Sequence, residues 1–133
     1  MPNAEGLKLT IKGKENIQPN LLETIKYTGK KQLITIDYPE FSAVCPFSGL
    51  PDIGKLIVEY IPAENIIELK SLKYYLTSFR EVGIYQEDAT DRIHTDLKKI
   101  LKPHSIKITT IYNVRGGMET TCVMGKLSDR VKG

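Results

Sequence analysis

Apolar positions along the chain recur first with a period of two, then with a helical period, then with a period of two again, and these switches predict the elements. Residues 33–37 and 41–45, rich in β-branched and aromatic side chains, read as two short strands separated at Pro39, which has no N–H for a ladder. Residues 46–54, with their Pro, Ser, Gly and Asp, read as a loop. Over 55–61, Lys55, Ile57 and Glu59 alternate with Leu56, Val58 and Tyr60, the signature of a half-buried strand closed by Pro62. Asn65 with Glu68 reads as a capping box opening a helix over 66–82, with Leu69, Leu72, Tyr75, Leu76 and Phe79 on the core arc and Gly83 ending it. A second helix is predicted over 87–102, burying Ala89, Ile93, Leu97, Ile100 and Leu101 and stopped by Pro103. Strands over 106–112 and 118–126 follow, joined around Arg115-Gly116-Gly117, a hairpin signal because glycine accepts positive φ. Residues 1–32 are polar and broken by Gly6, Gly13, Pro19 and Gly29; they read as a leader in which Asn20 and Glu23 cap a short turn.

The order ββααββ predicts an α+β fold, an antiparallel four-stranded sheet with two helices on one face. Such a sheet has open edges, which invite pairing with further copies of the chain. A closed ring of subunits satisfies them.

Composition narrows the function classes. At 133 residues, 41% apolar and 26% charged, the chain reads as one domain spanning 1–133. A net charge of +3 is too small to argue for nucleic acid. No apolar run approaches the ~20 residues of a membrane-spanning helix, and no secretory signal is visible, so the expected location is the cytoplasm, away from membranes. Cys45 and Cys122 are expected as free thiols there. With His94 and His104 they show no metal-ligand spacing, so no metal site is expected.

Two constellations carry candidate chemistry. Cys45 ends a strand and Asp52 follows it by seven residues, placing a thiol near a carboxylate at the edge of a rigid scaffold. The plainer readings are a small buried hydrophobe and an Asx turn. On the first helix Lys70, Lys73, Thr77 and Arg80 fall within about 80° of one another. Three cations there either form a solvated face or await a phosphate. Glu68 and Glu87 each also have a local reading, as a capping acid and as a first-turn carboxylate.

The words Phe41-Ser42-Ala43-Val44-Cys45-Pro46 with Gly49, Pro51 and Asp52, then Tyr60-Ile61-Pro62, Glu68-Leu69-Lys70-Ser71-Leu72-Lys73, Ser78-Phe79-Arg80, Gln86-Glu87 and Arg115-Gly116-Gly117, closely resemble the NADPH-dependent 7-cyano-7-deazaguanine reductases. The likeness covers residues 33–126 and matches the short, single-module form. It implies a tunnelling fold, with ββααββ subunits in barrel rings, two stacked pentamers, and active sites at subunit boundaries. It also implies reduction of the nitrile of 7-cyano-7-deazaguanine to 7-aminomethyl-7-deazaguanine, a step toward queuosine in tRNA, with NADPH as cofactor.

By the same resemblance Cys45 is the nucleophile that forms a covalent thioimide, and Asp52 is the base that later returns the proton. Glu87 anchors the deazaguanine, Glu68 supports it, and the backbone of Ile67, Glu68 and Leu69 lines the base pocket. Lys70, Lys73 and Arg80 meet the cofactor phosphates. Gln86 stands where many members carry His; it cannot titrate near neutral pH and is given a substrate contact only. His94 reads as a structural or solvent-edge residue, His104 as exposed in the turn after Pro103, and Cys122 as packing on the last strand. The competing readings are a relative that adds ammonia to the nitrile within tRNA on the way to archaeosine, a zinc-dependent pterin-forming cyclohydrolase of the same fold, and a non-catalytic module binding purines or RNA.

Overall fold

The computed structural model describes residues 9–128. Four long strands, β2 (Ile34–Val44), β3 (Pro51–Ile61), β5 (Ser105–Arg115) and β6 (Met118–Lys126), form an antiparallel sheet in the order β2-β3-β5-β6. Two three-residue strands, β1 (Thr24–Lys26) and β4 (Asn65–Ile67), pair separately, and the helices α1 (Leu69–Thr77) and α2 (Gln86–Leu101) lie between the two long hairpins. The expected ββααββ order is therefore present, with a small accessory sheet added.

Pro39 does not divide β2. The strand runs through, and the register shifts between Tyr38 and Phe41, so an irregularity absorbs the missing donor. β3 starts at Pro51 rather than at 55, which corrects the loop read over 46–54: Asp52 pairs with Ala43, and Gly54 with Phe41. Pro, Asp and Gly are poor strand formers, and cross-strand pairing overrides their local preference. Further along β3 the alternation is as expected, with Leu56, Val58 and Tyr60 buried.

The first helix is shorter than its apolar period suggested, covering Leu69–Thr77 in place of 66–82. Asn65 belongs to β4, and Glu68 is itself the N-cap, its carboxylate accepting from the N–H groups of Lys70 at 2.5 Å and Ser71 at 3.2 Å. Leu69, placed on the core arc by its spacing, is 62% exposed. Past Thr77 the chain turns, with Arg80 N–H donating to the Thr77 carbonyl, and Phe79 reaches the core from that turn. α2 agrees with its prediction within a residue at each end and stops at Lys102, whose φ of 46° is left-handed. The β5–β6 turn consists of Gly116 and Gly117, with φ of 55° and 82°, the double positive φ that a two-residue hairpin loop requires.

One core forms on one face of the sheet, from Phe41 and Ala43 of β2, Leu56, Val58 and Tyr60 of β3, and Ile106 and Ile108 of β5, against Leu72, Tyr75 and Leu76 of α1 and Ile93, Leu97 and Leu101 of α2. The opposite positions of β3, at Ile53, Lys55, Ile57 and Glu59, are not buried. The leader is tied in: Ile17 and Leu22 enter the core, and Lys12 bridges to Val82. Its turn at Pro19–Leu21 has no side-chain cap, so the cap read from Asn20 and Glu23 is not formed. No helix among the described residues is long and apolar enough to cross a membrane.

Phe79 links the layers, its ring edge-on to Phe41 at 5.5 Å and to Tyr75 at 5.3 Å. Phe79→Ala is expected to cost about 3–5 kcal/mol through the lost burial and the cavity left, measured as a lower urea midpoint.

Candidate active site

Cys45 sits where β2 gives way to a tight loop closed by two backbone bonds, Cys45 N–H to the Leu50 carbonyl and Gly49 N–H to the Cys45 carbonyl, each 2.9 Å. Gly49, at φ 73°, permits that return. The loop turns donors onto the sulfur. A hydrogen bond from the Ser48 side chain, and then the backbone N–H groups of Ser48 and Phe47, hold the Cys45 thiol below its ordinary range; burial and the charge of Asp52 oppose this. The loop itself, rather than the carboxylate, thus favours the thiolate.

Asp52 lies across the hairpin from Ala43 and is 7% exposed. Burial raises its carboxyl above the usual carboxylate range, and the charge and hydrogen bond of Arg115 pull it partly back. Arg115 reaches from the end of β5 to form an ion pair with Asp52 and to donate to the Pro51 carbonyl. Neither Ser48 nor Arg115 stood out as a functional residue in the sequence; the first read as a loop residue and the second as the lead of a glycine hairpin.

The N-terminus of α2 closes the same region. Tyr85 stacks edge-on against Phe47 of the cysteine loop at 6.1 Å, and the charge of Glu87 reaches Cys122 on β6 and Tyr112 on β5. Glu87 is exposed in the first turn of α2, and Gln86 before it is buried. The Gln86 amide donates to the Thr110 carbonyl and hydroxyl, both at 3.1 Å, and to the Thr120 carbonyl at 2.8 Å. Those bonds staple the helix start to β5 and β6. Cys122 is half-buried, its thiol raised by burial and by Glu87, and both cysteines are free. His94, half-buried, packs against Gly125.

The other candidates stand elsewhere. Ile67 N–H donates to the Tyr60 hydroxyl at 3.0 Å, and Glu68 follows directly at the head of α1. Asp52 and Tyr60 are eight residues apart on β3, roughly 26 Å at ~3.3 Å per residue. Cys45, Asp52 and Glu87 therefore gather at one end of the sheet, with Ile67, Glu68 and Leu69 toward the other. Lys70 and Lys73 are exposed one turn apart on α1, Lys70 with its ammonium 5.9 Å from the Tyr74 ring centre. Arg80 falls outside the helix and borders a cleft of about 420 Å³ with Lys12, Gln18, Ser78 and Glu81. Among the described residues no three His, Cys, Asp or Glu side chains gather as a metal site.

Residues 51–130 match the family described as QueF-like protein. The NADPH-dependent 7-cyano-7-deazaguanine reductases of Thermotoga petrophila and Thermotoga maritima are each 56% identical over 134 aligned positions, covering 100% of this chain and 98% of theirs. The chain belongs to the family of the NADPH-dependent 7-cyano-7-deazaguanine reductases. The reductase of Caldicellulosiruptor bescii is 46% identical over 87% of this chain and 90% of its own. A solved structure, that of the archaeosine synthase QueF-Like in the apo form, superposes with a TM-score of 0.64 at 22% identity over 74% of this chain and 95% of that one. The chain thus has the α+β fold expected from its element order, in the tunnelling form that the family resemblance implies.

The cation pair of α1 has the charge that a cofactor's phosphates would require. Lys70 and Lys73 face outward, and no carboxylate of the described residues forms an ion pair with either or with Arg80. Their charges are available for phosphates.

Proposed function

We propose that this chain reduces the nitrile of 7-cyano-7-deazaguanine to the primary amine with NADPH, a step in the synthesis of queuosine for tRNA. The observation that carries the reading is the cysteine loop, which holds a thiol toward its thiolate beside a buried carboxylate, in a chain of this family. The Cys45 thiolate attacks the nitrile carbon, making a C–S bond as one of the C–N π bonds opens. Asp52 suits the proton traffic: burial lets its carboxyl hold a proton that it delivers to the developing nitrogen, giving a neutral thioimide. NADPH, held at its phosphates by Lys70 and Lys73, would supply the two hydrides; between them the C–S bond would break to return the Cys45 thiolate, and the further proton on nitrogen would arrive through Asp52. Arg115 keeps Asp52 oriented throughout. Glu87 accepts from the ring N–H and exocyclic amine of the base, and Gln86 holds the helix start that presents Glu87.

A deazaguanine is far smaller than the separation along β3, so Cys45 and Glu68 of one copy cannot touch the same molecule. The site is therefore assembled from two copies, one providing Cys45, Asp52 and Glu87, the next providing Ile67, Glu68 and Leu69 from the head of its α1. The exposed edges β2 and β6 supply a route to such a ring, for which two stacked pentamers are the proposed form. Work on free metabolite within such a ring suits a cytoplasmic enzyme.

The test is NADPH oxidation followed on adding 7-cyano-7-deazaguanine, with two equivalents consumed per amine formed. Ammonia-dependent consumption of the nitrile without NADPH oxidation would replace this reading with amidine formation. Changing Lys70 and Lys73 together to Ala is expected to raise the KM for NADPH roughly 10- to 100-fold, since charged hydrogen bonds contribute ~1.5–3 kcal/mol. The KM for the nitrile should move much less, and an unchanged NADPH KM would remove both lysines from the cofactor site.

A further inference from the structure

Among the described residues the buried Tyr112 hydroxyl has no hydrogen-bond partner, and the buried Asp52 Oδ1 has only the Arg115 guanidinium. Both belong to one corner of the sheet. Tyr112 pairs with Gly54 of β3 and Thr120 of β6, and Gly54, two residues after Asp52, shares its face. The ring of Tyr112 occupies the space that a side chain at Gly54 would need: a Cβ built there stands 2.9 Å from Tyr112 Cδ1 and 2.8 Å from its Cα. Phe41 flanks the ring at 6.4 Å, and Tyr112 is 7% exposed.

Burial first, then the charges of Asp52, Cys122 and Glu87, push the phenol well above its ordinary range, so the hydroxyl keeps its proton. It is a donor with nothing to donate to. Burying such a group unpaired is unfavourable, and a phenylalanine would fill the same volume without that cost.

We propose that Tyr112 is a specificity-determining residue whose hydroxyl donates to the ring carbonyl of the bound deazaguanine. This rests on the function proposed above. With Asp52 at the nitrile end of the base and Glu87 at its N–H edge, the carbonyl falls between them, because that oxygen neighbours the ring N–H on one side and the nitrile-bearing carbon on the other. Tyr112 occupies the matching place on the protein: β5 lies between β3, which carries Asp52, and β6, whose Cys122 lies within reach of the Glu87 charge. A 6-amino analogue presents N–H donors at this point. Donor would then meet donor, leaving both unpaired, a mismatch that discriminates far better than shape alone.

The experiment measures calorimetric binding of 7-cyano-7-deazaguanine and of 7-cyano-7-deazaadenine to the full chain carrying Cys45→Ala, with and without Tyr112→Phe. The expected result is at least tenfold weaker binding of the carbonyl ligand to the Phe variant and a correspondingly smaller preference over the amino analogue. General damage to the site would weaken both ligands alike, so an unchanged preference overturns the proposal, as does unchanged affinity for the carbonyl ligand. Melting separates packing from recognition: Tyr112→Phe should melt no lower than its parent. If the Cys45→Ala parent does not bind the nitrile and the wild-type chain does not oxidise NADPH with it, the proposed function itself falls, and this inference with it; turnover by wild type alongside an indifferent Tyr112→Phe overturns the inference alone.

Discussion

Cys45→Ala is expected to abolish NADPH consumption with 7-cyano-7-deazaguanine and to leave the fold standing. The side chain lost is small and half-buried at the end of β2, and the loop that follows is closed by backbone bonds that alanine preserves. Stability should therefore change little. Activity should vanish because no other group at that end of the sheet replaces a thiolate: Cys122 is pushed up by burial and by Glu87, away from the ionised form that attack needs. The loop holds the Cys45 thiol below the range of a free cysteine, so in wild type adduct formation should persist at pH values where an ordinary thiol is largely protonated. Steady-state oxidation of NADPH with the alanine variant, against a melting curve, checks both halves. Residual turnover above background would take the nucleophile's role from Cys45.

Asp52→Asn separates catalysis from stability in the opposite sense. The amide keeps the shape and the neighbour Arg115 but neither accepts nor returns a proton, so kcat should fall roughly 10²- to 10⁴-fold, the range of general acid–base contributions. The sign for stability follows from the raised carboxyl. A folded-state pKa above the unfolded value means that the ionised form burdens the fold above that pKa, and that the burden is relieved as pH falls through it. The neutral amide removes the burden at every pH. The variant should therefore melt at or above the wild-type temperature near neutral pH, with the gap closing on acidification. Arg115, about half exposed, can turn to water when its partner loses charge. A variant with wild-type kcat would show that Asp52 carries no proton in the reaction.

Much of this was legible locally. Alternation along β3, the wheel of α2 and the double-glycine turn are short-range signals, and each element formed as its residues suggested. What misled the reading depends on distant partners. Pro51, Asp52 and Gly54 resemble a loop until Phe41, Ala43 and Val44 pair with them, and the apolar period through Phe79 outlasts the helix because the turn after Thr77 also faces the core. Polar residues hid the anchoring of the leader through Ile17 and Leu22. The site divides in the same way. Cys45 and Asp52 carried a spacing that could be read, and Glu87 entered through the family resemblance, whereas Arg115 acts on Asp52 from 63 positions away, through the pairing of β5 with β3. Tyr112 read as one more strand residue, because only the register shows its ring over Gly54 and its hydroxyl without an acceptor. The separation of the Ile67–Leu69 group from Cys45 is likewise a matter of strand length, which motif order conceals.

Intact-mass measurement of the chain mixed with 7-cyano-7-deazaguanine, without NADPH, tests the covalent chemistry most directly. The account predicts one mass increment per chain equal to that of the whole nitrile, because addition expels nothing, with no increment in the Cys45→Ala variant. An unmodified wild-type chain at saturating nitrile, or an increment that persists in the alanine variant, would contradict it.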